Sequence, residues 1–418
     1  MDRRPLRMPR AYLRLFSASA VSNIGDGVLV GALPLLAARA TDSELSVGLM
    51  SAFFTLPWLV LSLPAGAVVD RADPRRVMLV TDVGRAALVA GLAIAAAVSD
   101  VDIWMLWVLA LGLGVGEVFF DSASQAIVPS VVDADQLERA NGWRYSAELV
   151  GNTFVGMPMG SVLFATAVWL PFGIDAASFA VAAVLVATLP SRRRGATTRH
   201  DADADASPRP SITADIADGL RWLRSHGLLR DLAVALAVAN LAFAMVESTF
   251  VLYLTREIGV DERLFGVTVA AMGIGGAVAG LAAGRLIDVV GRRWTIVAVA
   301  ALPVLTMALL AGAADPWAVV GLVMAQSVLV TVWSVAAVSL RQHLVPEHLF
   351  GRVNGVFRWL SWGAMPVGAA AGGAIAQATS LRGPYVAGAW LLAGAALLVL
   401  ARVAPFVPDG NGAQSGMQ

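Results

Sequence analysis

The sequence predicts an all-α membrane protein in which twelve transmembrane helices form two six-helix bundles related by a pseudo-twofold repeat. The first observation is composition, because 58% of the 418 residues are hydrophobic and only 14% are charged. The second is a series of apolar stretches, each long enough to cross a bilayer as a helix. The third is a set of short motifs that recur about half a chain length apart, as Asn23 and Asn240 do. An ordinary soluble domain would not be this apolar.

Two residue types that carry much enzyme chemistry are absent. The chain has no cysteine, which excludes disulfides, thiol nucleophiles and sulfur-ligated metals. It also has no lysine, so a phosphate-binding loop of the Gly-Lys-Ser/Thr type cannot form. No histidine falls in the middle of an apolar stretch, and no nucleophile–base pair has recognisable spacing. We therefore expect no enzyme activity, no metal and no cofactor.

Apolar stretches alternate with short polar loops along the chain. The first stretch follows four arginines and is too long for a cleaved signal peptide, so it is predicted to be a true span. The first six predicted spans are residues 11–39, 46–69, 77–98, 103–128, 143–167 and 169–190. The second six are residues 229–255, 264–286, 293–313, 316–340, 355–378 and 384–404.

The arginines lie almost entirely on one side of these spans. Only Arg39, Arg256, Arg263 and Arg382 fall on the other side. Because positively charged loops stay in the cytoplasm, both termini are predicted to be cytoplasmic, in the inner membrane of a bacterium.

The two halves of the sequence repeat each other. Asn23 in span one corresponds to Asn240 in span seven, and a Glu-x-x-x-Gly sequence before span two recurs before span eight. Such repeats predict two bundles, residues 1–190 and 229–418. The intervening residues 191–228 are predicted to be a charged cytoplasmic linker that ends in an amphipathic helix lying on the membrane or packed on a bundle.

One loop motif occurs at the same place in both halves, between spans two and three and between spans eight and nine. Each copy has a glycine, an aspartate four residues later and then two arginines. We predict that these loops form a gate at the cytoplasmic side, in which ion pairs hold one arrangement of helices and break in another. The alternative is a plain positively charged loop. The predicted gate residues are Gly66, Asp70, Arg71, Arg75, Arg76, Arg144, Gly284, Asp288, Arg292, Arg293 and Arg358.

Acidic residues inside the spans are the candidates for chemistry, because a charge in a bilayer is costly without a partner or a role. The predicted proton-coupling or substrate-binding residues are Asp26, Glu117, Asp121, Glu148 and Glu247. Glu117 and Asp121 are four residues apart and share a helix face, so we expect the pair to hold a proton. Simple helix–helix hydrogen bonds, or a structural network with Arg144, are the alternatives. Asp175 is expected near the outer surface, where water would hydrate it.

The remaining wall of a central cavity is predicted to be apolar and adaptable, as suits large lipophilic molecules. Its predicted aromatic residues are Phe243, Phe250 and Trp333, with Met245 and Met324 beside them. Its few predicted polar residues are Asn23, Asn152, Asn240 and Gln326. Each side chain could instead face lipid or pack in a bundle.

The paired loops and the six-plus-six repeat resemble the major facilitator superfamily over essentially the whole chain. Within it the chain is similar to bacterial twelve-span drug exporters. The resemblance is carried by Asn23-Ile24-Gly25-Asp26-Gly27 in span one, Asp175-Ala176-Ala177-Ser178-Phe179 in span six and Gly156-Met157-Pro158-Met159-Gly160 in span five. One feature departs from it, because span four lacks the arginine that many drug/proton antiporters of this kind carry.

These observations together predict a proton-driven exporter of drug-like amphiphiles that works by alternating access. The alternatives are an exporter of an endogenous siderophore, lipid or secondary metabolite, and a nutrient facilitator, which the sparse polar lining disfavours. The expected partners are a small-molecule substrate, protons and the lipid bilayer, without nucleic acid. Nothing in the sequence demands more than a monomer.

Overall fold

The computed structural model describes residues 8–132, 136–189, 220–345 and 347–406, and all regular secondary structure in these ranges is helical. We name the predicted spans by number. The end that carries Arg39, Arg256 and Arg382 is called the arginine-poor end, and the opposite one the arginine-rich end. The predicted linker helix falls mostly outside the described residues, which resume at Leu220.

The first half follows the predicted spans within a few residues. Spans one to four are single helices, Arg10–Ala40, Glu44–Arg71, Pro74–Val98 and Ile103–Val131. Span five is an α-helix Leu137–Glu148, a π-helix Leu149–Gly156 and a second α-helix Met157–Thr166, and span six is Leu170–Ala187. Turn residues set the boundaries, as where Asp73 caps the third helix and Pro74 begins it.

The second half repeats this pattern with more interruptions. Span seven is Gly227–Glu247, followed by a short turn Phe250–Leu252 and a π-helix Tyr253–Glu257. Spans eight to ten are Glu262–Val290, Arg292–Gly312 and Pro316–Leu344. The predicted span eleven is Glu347–Gly363 with Met365–Ala378, and span twelve is Gly383–Leu398 continued by a π-helix Val399–Val403.

Eleven helices of the described residues are long and apolar enough to cross a membrane. The predicted span eleven is not among them, because it divides at Ala364 into helices of 17 and 14 residues. Pro366 stands at the start of the second piece, and a proline cannot continue the hydrogen bonds of the preceding helix. The all-helical fold is confirmed, and the twelfth crossing stays a prediction that rests on this divided pair.

The two halves touch most extensively along two pairs of helices. Span two packs against span eleven, and span five packs against span eight. At Gly48 the approach is so close that an added Cβ would lie 2.8 Å from Cα of Gly373. Gly266 packs against Pro158 and Ser161 in the same way. These glycines lie toward the arginine-poor end, where the halves therefore meet.

Candidate functional site

A polar cavity of about 380 Å³ lies mainly inside the first half. We call it the acidic cavity. It is lined by Ser19, Ser22, Asn23, Asp26, Trp58, Arg85, Glu117, Phe120, Asp121, Gln125, Arg144, Glu148 and Trp362. Four of the five predicted acids therefore share one cavity, together with the predicted Asn23 and Arg144.

Local hydrogen bonds position these side chains. Ser22 Oγ donates to Asp26 Oδ2 at 3.3 Å, and the Asn23 amide donates to the carbonyl oxygen of Ser19 at 2.8 Å. On span four, Gln125 Nε2 donates to Asp121 Oδ2 at 2.8 Å. Span one can approach span five here because Gly27 packs directly on the backbone of that span, where any Cβ would overlap.

Span four presents its two acids to the same cavity, as their four-residue spacing predicts. Glu117 and Asp121 are both half-buried and both line it. Glu148 lines it from span five and is the last residue before the π-helix Leu149–Gly156. π-Helical turns are often found at functional sites, because the extra residue turns side chains to a new face.

Sequence reasoning missed a buried ion pair on span three beside this cavity. Arg85 Nη2 lies 2.6 Å from Asp82 Oδ1, and both side chains are buried. Opposite charges three residues apart in an apolar span are a recognisable signal, because such residues face one another on a helix. Arg85 thus supplies a cation to the cavity from span three, although span four carries none.

The expectation for Asp175 is wrong. Its side chain is completely buried rather than hydrated at the outer surface. Ser178 Oγ donates to its Oδ1 at 3.3 Å, and its carboxylate packs against Gly25 of span one. Five residues of helix precede Asp175 in span six, enough to carry it from the arginine-poor end into the bundle.

A second, larger cavity of about 770 Å³ lies between the two halves, and we call it the apolar cavity. The first half contributes Val30, Pro34, Ser146, Thr153 and Met157. The second half contributes Glu247, Phe250, Val251, Phe265, Val269, Met272, Gly273, Gly276, Ala277, Gly280, Leu281, Ser327, Thr331, Ser334 and Val335. Glu247 is the carboxylate in this otherwise largely apolar lining, and Phe250 is close to it in sequence.

Other residues predicted for the cavity wall lie elsewhere. Asn240, Phe243 and Trp333 line a cavity of about 60 Å³ within the second half, and the Asn240 amide donates to the carbonyl oxygen of Ser361. Met245 and Gln326 are buried, and Gln326 accepts a hydrogen bond from Thr306. Met324 packs against Gly275 of span eight, and the backbone of Asn152 packs against Gly27. These spans are apolar on every side, so hydropathy could not indicate which face points inward.

The predicted gate residues form few described contacts with each other. Arg75 binds the C-terminal end of span six through the carbonyl oxygens of Val186 and Ala187, where the helix dipole favours a cation. Arg71, Arg76 and Asp288 are exposed, Arg292 and Arg293 are half-buried, and the side chains of Asp70 and Arg358 lie outside the described residues. At Gly66 and Gly284 an added Cβ would meet nothing within 4 Å. No other described helix therefore packs closely against either glycine in this conformation.

Comparison with known proteins agrees with this architecture. The chain matches the family described as transmembrane secretion effector over residues 4–414. It is 28% identical to the multidrug efflux pump Tap of Mycolicibacterium fortuitum over 410 residues, which is 95% of each chain. It is also 25% identical over 218 residues to the macrolide efflux protein A of Streptococcus pyogenes, about half of each chain.

Solved structures show the same fold at low sequence identity. The nucleoside transporter NupG superposes with a TM-score of 0.71 at 13% identity, covering 94% of this chain and 99% of that one. A bacterial homologue of the iron transporter ferroportin in an inward-facing state has a TM-score of 0.67 at 17% identity, covering 94% and 98%. Together with the whole-length family match, these likenesses show that the chain belongs to the transmembrane secretion effector family of the major facilitator superfamily and is a multi-pass membrane transporter.

Proposed function

We propose that the protein exports lipophilic compounds, cationic ones in particular, in exchange for protons. The observation that carries this proposal is the separation of two cavities. The acidic cavity is lined by four carboxylates of the first half. The apolar cavity lies between the halves, and Glu247 is the carboxylate in its largely apolar lining. Protons and a large substrate can thus use different residues of the same molecule.

The proton role follows from the crowding of acids in the acidic cavity. Carboxylates that are close together in a poorly hydrated site cannot all ionise, so a proton can be held there and released when the surroundings change. Asp26 of span one lines this cavity together with Glu117 and Asp121 of span four and Glu148 of span five. A proton held by these acids need only bias the same conformational equilibrium that the substrate biases.

The substrate role follows from the lining of the apolar cavity. Aromatic and methionine side chains such as Phe250, Phe265 and Met272 adapt to many shapes, and a cation can rest against an aromatic face. One carboxylate in such a lining favours a cation over an anion. The relatives named as a multidrug efflux pump and a macrolide efflux protein support the same class of cargo.

The conformation fits one stage of an alternating-access cycle. The halves are joined at the arginine-poor end, where Arg256 Nη2 donates to the carbonyl oxygens of Ala38 and Thr41. Since arginine-rich loops stay in the cytoplasm, we assign this end to the outside and both termini to the cytoplasm of the inner membrane. The protein then faces inward, and the loops around Asp70 and Asp288 would close the cytoplasmic side in the opposite state.

Everted membrane vesicles test the proposal directly. We expect Asp26→Asn and Glu117→Gln each to lose accumulation of a cationic dye driven by an imposed pH gradient, while downhill movement of the dye continues. Asp100→Asn, at an exposed site between spans three and four, is the matched control and should behave as the wild type. Gradient-driven accumulation that persists in both cavity variants would remove these acids from the coupling role. Wild-type accumulation that survives a protonophore would rule out proton exchange.

A further inference from the structure

Asp82 and Arg85 form a buried ion pair on span three, and several further acids line the cavity beside it. Arg85 is 4% exposed and Asp82 is fully buried. Burying two charges is costly unless both are fully satisfied. Among the described residues, Asp82 Oδ2 and Arg85 Nε have no hydrogen-bond partner. The pair therefore makes fewer hydrogen bonds than its atoms allow in this conformation. A further acceptor for Arg85 would lower the free energy of the ion pair.

Two aromatic rings hold the Arg85 guanidinium. Its central carbon lies 4.6 Å from the ring centre of Phe120 on span four and 4.3 Å from that of Phe179 on span six. Ring faces attract a cation without accepting its directed hydrogen bonds. On span four the stem of Arg85 passes Gly116, where an added Cβ would lie 2.8 Å from Cγ of the arginine. The side chain of Arg85 therefore passes between helices into the acidic cavity. The rings beside it accept no directed hydrogen bonds, so its N–H groups can donate to other acceptors.

Acids from other helices line the same cavity as this guanidinium. Among them are Asp26 of span one and Glu117 of span four, and Asp175 of span six lies one helical turn before Phe179, whose ring the guanidinium contacts. Asp175 Oδ2 is also buried without a hydrogen-bond partner among the described residues. The charged groups that line the cavity around Arg85 are Asp26, Glu117, Asp121, Arg144 and Glu148.

We infer that Arg85 is the shared counter-ion of the acidic cavity. It binds Asp82 while the cavity acids carry protons, and it turns toward Asp26 and Glu117 when those protons leave. Because its stem crosses span four at Gly116 and its head lies between spans four and six, the turn changes how spans one, three, four and six pack. Arg85 is thus a positioning residue that converts protonation into helix movement, and this role rests on the proposed proton exchange.

Four variants separate this role from a merely structural one. Arg85→Gln and Asp82→Asn each leave a buried charge unpaired, so both are expected to lower thermal stability. The double variant Asp82→Asn with Arg85→Gln removes both charges and should recover that stability. Arg85→Lys keeps a cation but loses the planar fork that can bind two acceptors. Arg402→Gln, an exposed arginine of the last span, is the control for loss of one positive charge.

The readout is gradient-driven dye accumulation in proteoliposomes as a function of pH, beside downhill dye movement. We expect Arg85→Gln and the double variant to lose pH-driven accumulation by about tenfold or more, the scale of one charge-assisted hydrogen bond, while downhill movement continues. Arg85→Lys should keep accumulation with a displaced pH profile. A double variant that recovers both stability and wild-type pH dependence would show that the pair is only structural. Dye accumulation by the wild type that does not depend on protons would contradict the proposed function. If the wild type does depend on protons and Arg85→Gln has the same pH dependence, only the inference about Arg85 is contradicted.

Discussion

Arg256 donates from Nη2 to the carbonyl oxygen of Ala38 at 2.7 Å, and this bond joins the two halves of the chain. The same nitrogen donates to Thr41 and lies 3.4 Å from the carboxylate of Asp42. All three acceptors belong to the C-terminal end of span one or the turn after it, where carbonyl oxygens lack helical partners. One arginine of the second half thus caps a helix of the first.

Replacing Arg256 by alanine should weaken closure of the arginine-poor end. The side chain is partly exposed, so we expect a loss of about 1 kcal/mol, or about fivefold in the ratio of closed to open molecules. Distances between spin labels placed on the two halves would report the shift. Arg382→Ala is the matched control, because Arg382 binds Glu257 and Ala311 within the second half. An equal shift in both variants would contradict the capping argument.

A second contact at the same end can be trapped chemically. Ser43 Oγ lies 3.0 Å from Gln377 Oε1, which also accepts the backbone N–H of Leu45. The chain has no cysteine, so Ser43→Cys and Gln377→Cys can be introduced as a unique pair. We expect a short thiol cross-linker to join them with high yield and to stop dye efflux until it is cleaved. The single-cysteine variants are the controls, and efflux that continues in the cross-linked protein would show that this end need not open.

Gly48 should be intolerant of any side chain. An added Cβ would lie 2.8 Å from Cα of Gly373 and 2.9 Å from the carbonyl oxygen of Ala369, and backbone atoms cannot give way as a flexible side chain can. Gly48→Ala should therefore destabilise the closed arginine-poor end by about 1–3 kcal/mol and slow efflux accordingly. Gly91→Ala on span three, where a Cβ meets nothing within 4 Å, is the control. If the two alanine variants transport equally well, the halves do not meet as closely as described.

The positions of the spans could be predicted from sequence because hydropathy depends on composition alone. The convergence of Asp26, Glu117 and Asp121 was also predictable, since each is a costly charge that needs a polar neighbour inside a bilayer. Rotation about the helix axis was not predictable. Asn240 and Trp333 were expected to face the central cavity, yet both line a small space within the second half. A helix that is apolar on every face gives no periodic signal to orient it.

Charge spacing held information that hydropathy did not. Asp82 and Arg85 are three residues apart in span three, a spacing that places opposite charges on one helix face, and they form a buried ion pair. The prediction that Asp175 is hydrated was wrong, because it considered only how close Asp175 is to the end of its span. Its burial depends on Gly25 of span one, which packs against its carboxylate. Tertiary packing between distant segments therefore decides how deeply such an acid is buried.

Glu247 should select for charge in the substrate, and Glu247→Gln tests this without changing side-chain size. Glu247 is the carboxylate among the apolar and hydroxyl side chains of the apolar cavity, so its charge would act on a bound cation at short range. We expect Glu247→Gln to weaken the apparent affinity for a lipophilic cation by about tenfold and to leave that for a neutral lipophile within about twofold. Competition against a transported dye by a matched cationic and neutral pair would measure both.

The pH dependence of efflux separates this site from the acidic cavity. Because Glu247 lies on the second half and the proposed coupling acids on the first, Glu247→Gln should keep gradient-driven accumulation of the neutral lipophile. Asp26→Asn should lose accumulation of both compounds, since Asp26 is proposed to bind the proton and not the cargo. The reverse pattern, with Glu247→Gln uncoupled for the neutral compound, would mean that proton and substrate share a carboxylate. The two cavities would then have to be treated as one site.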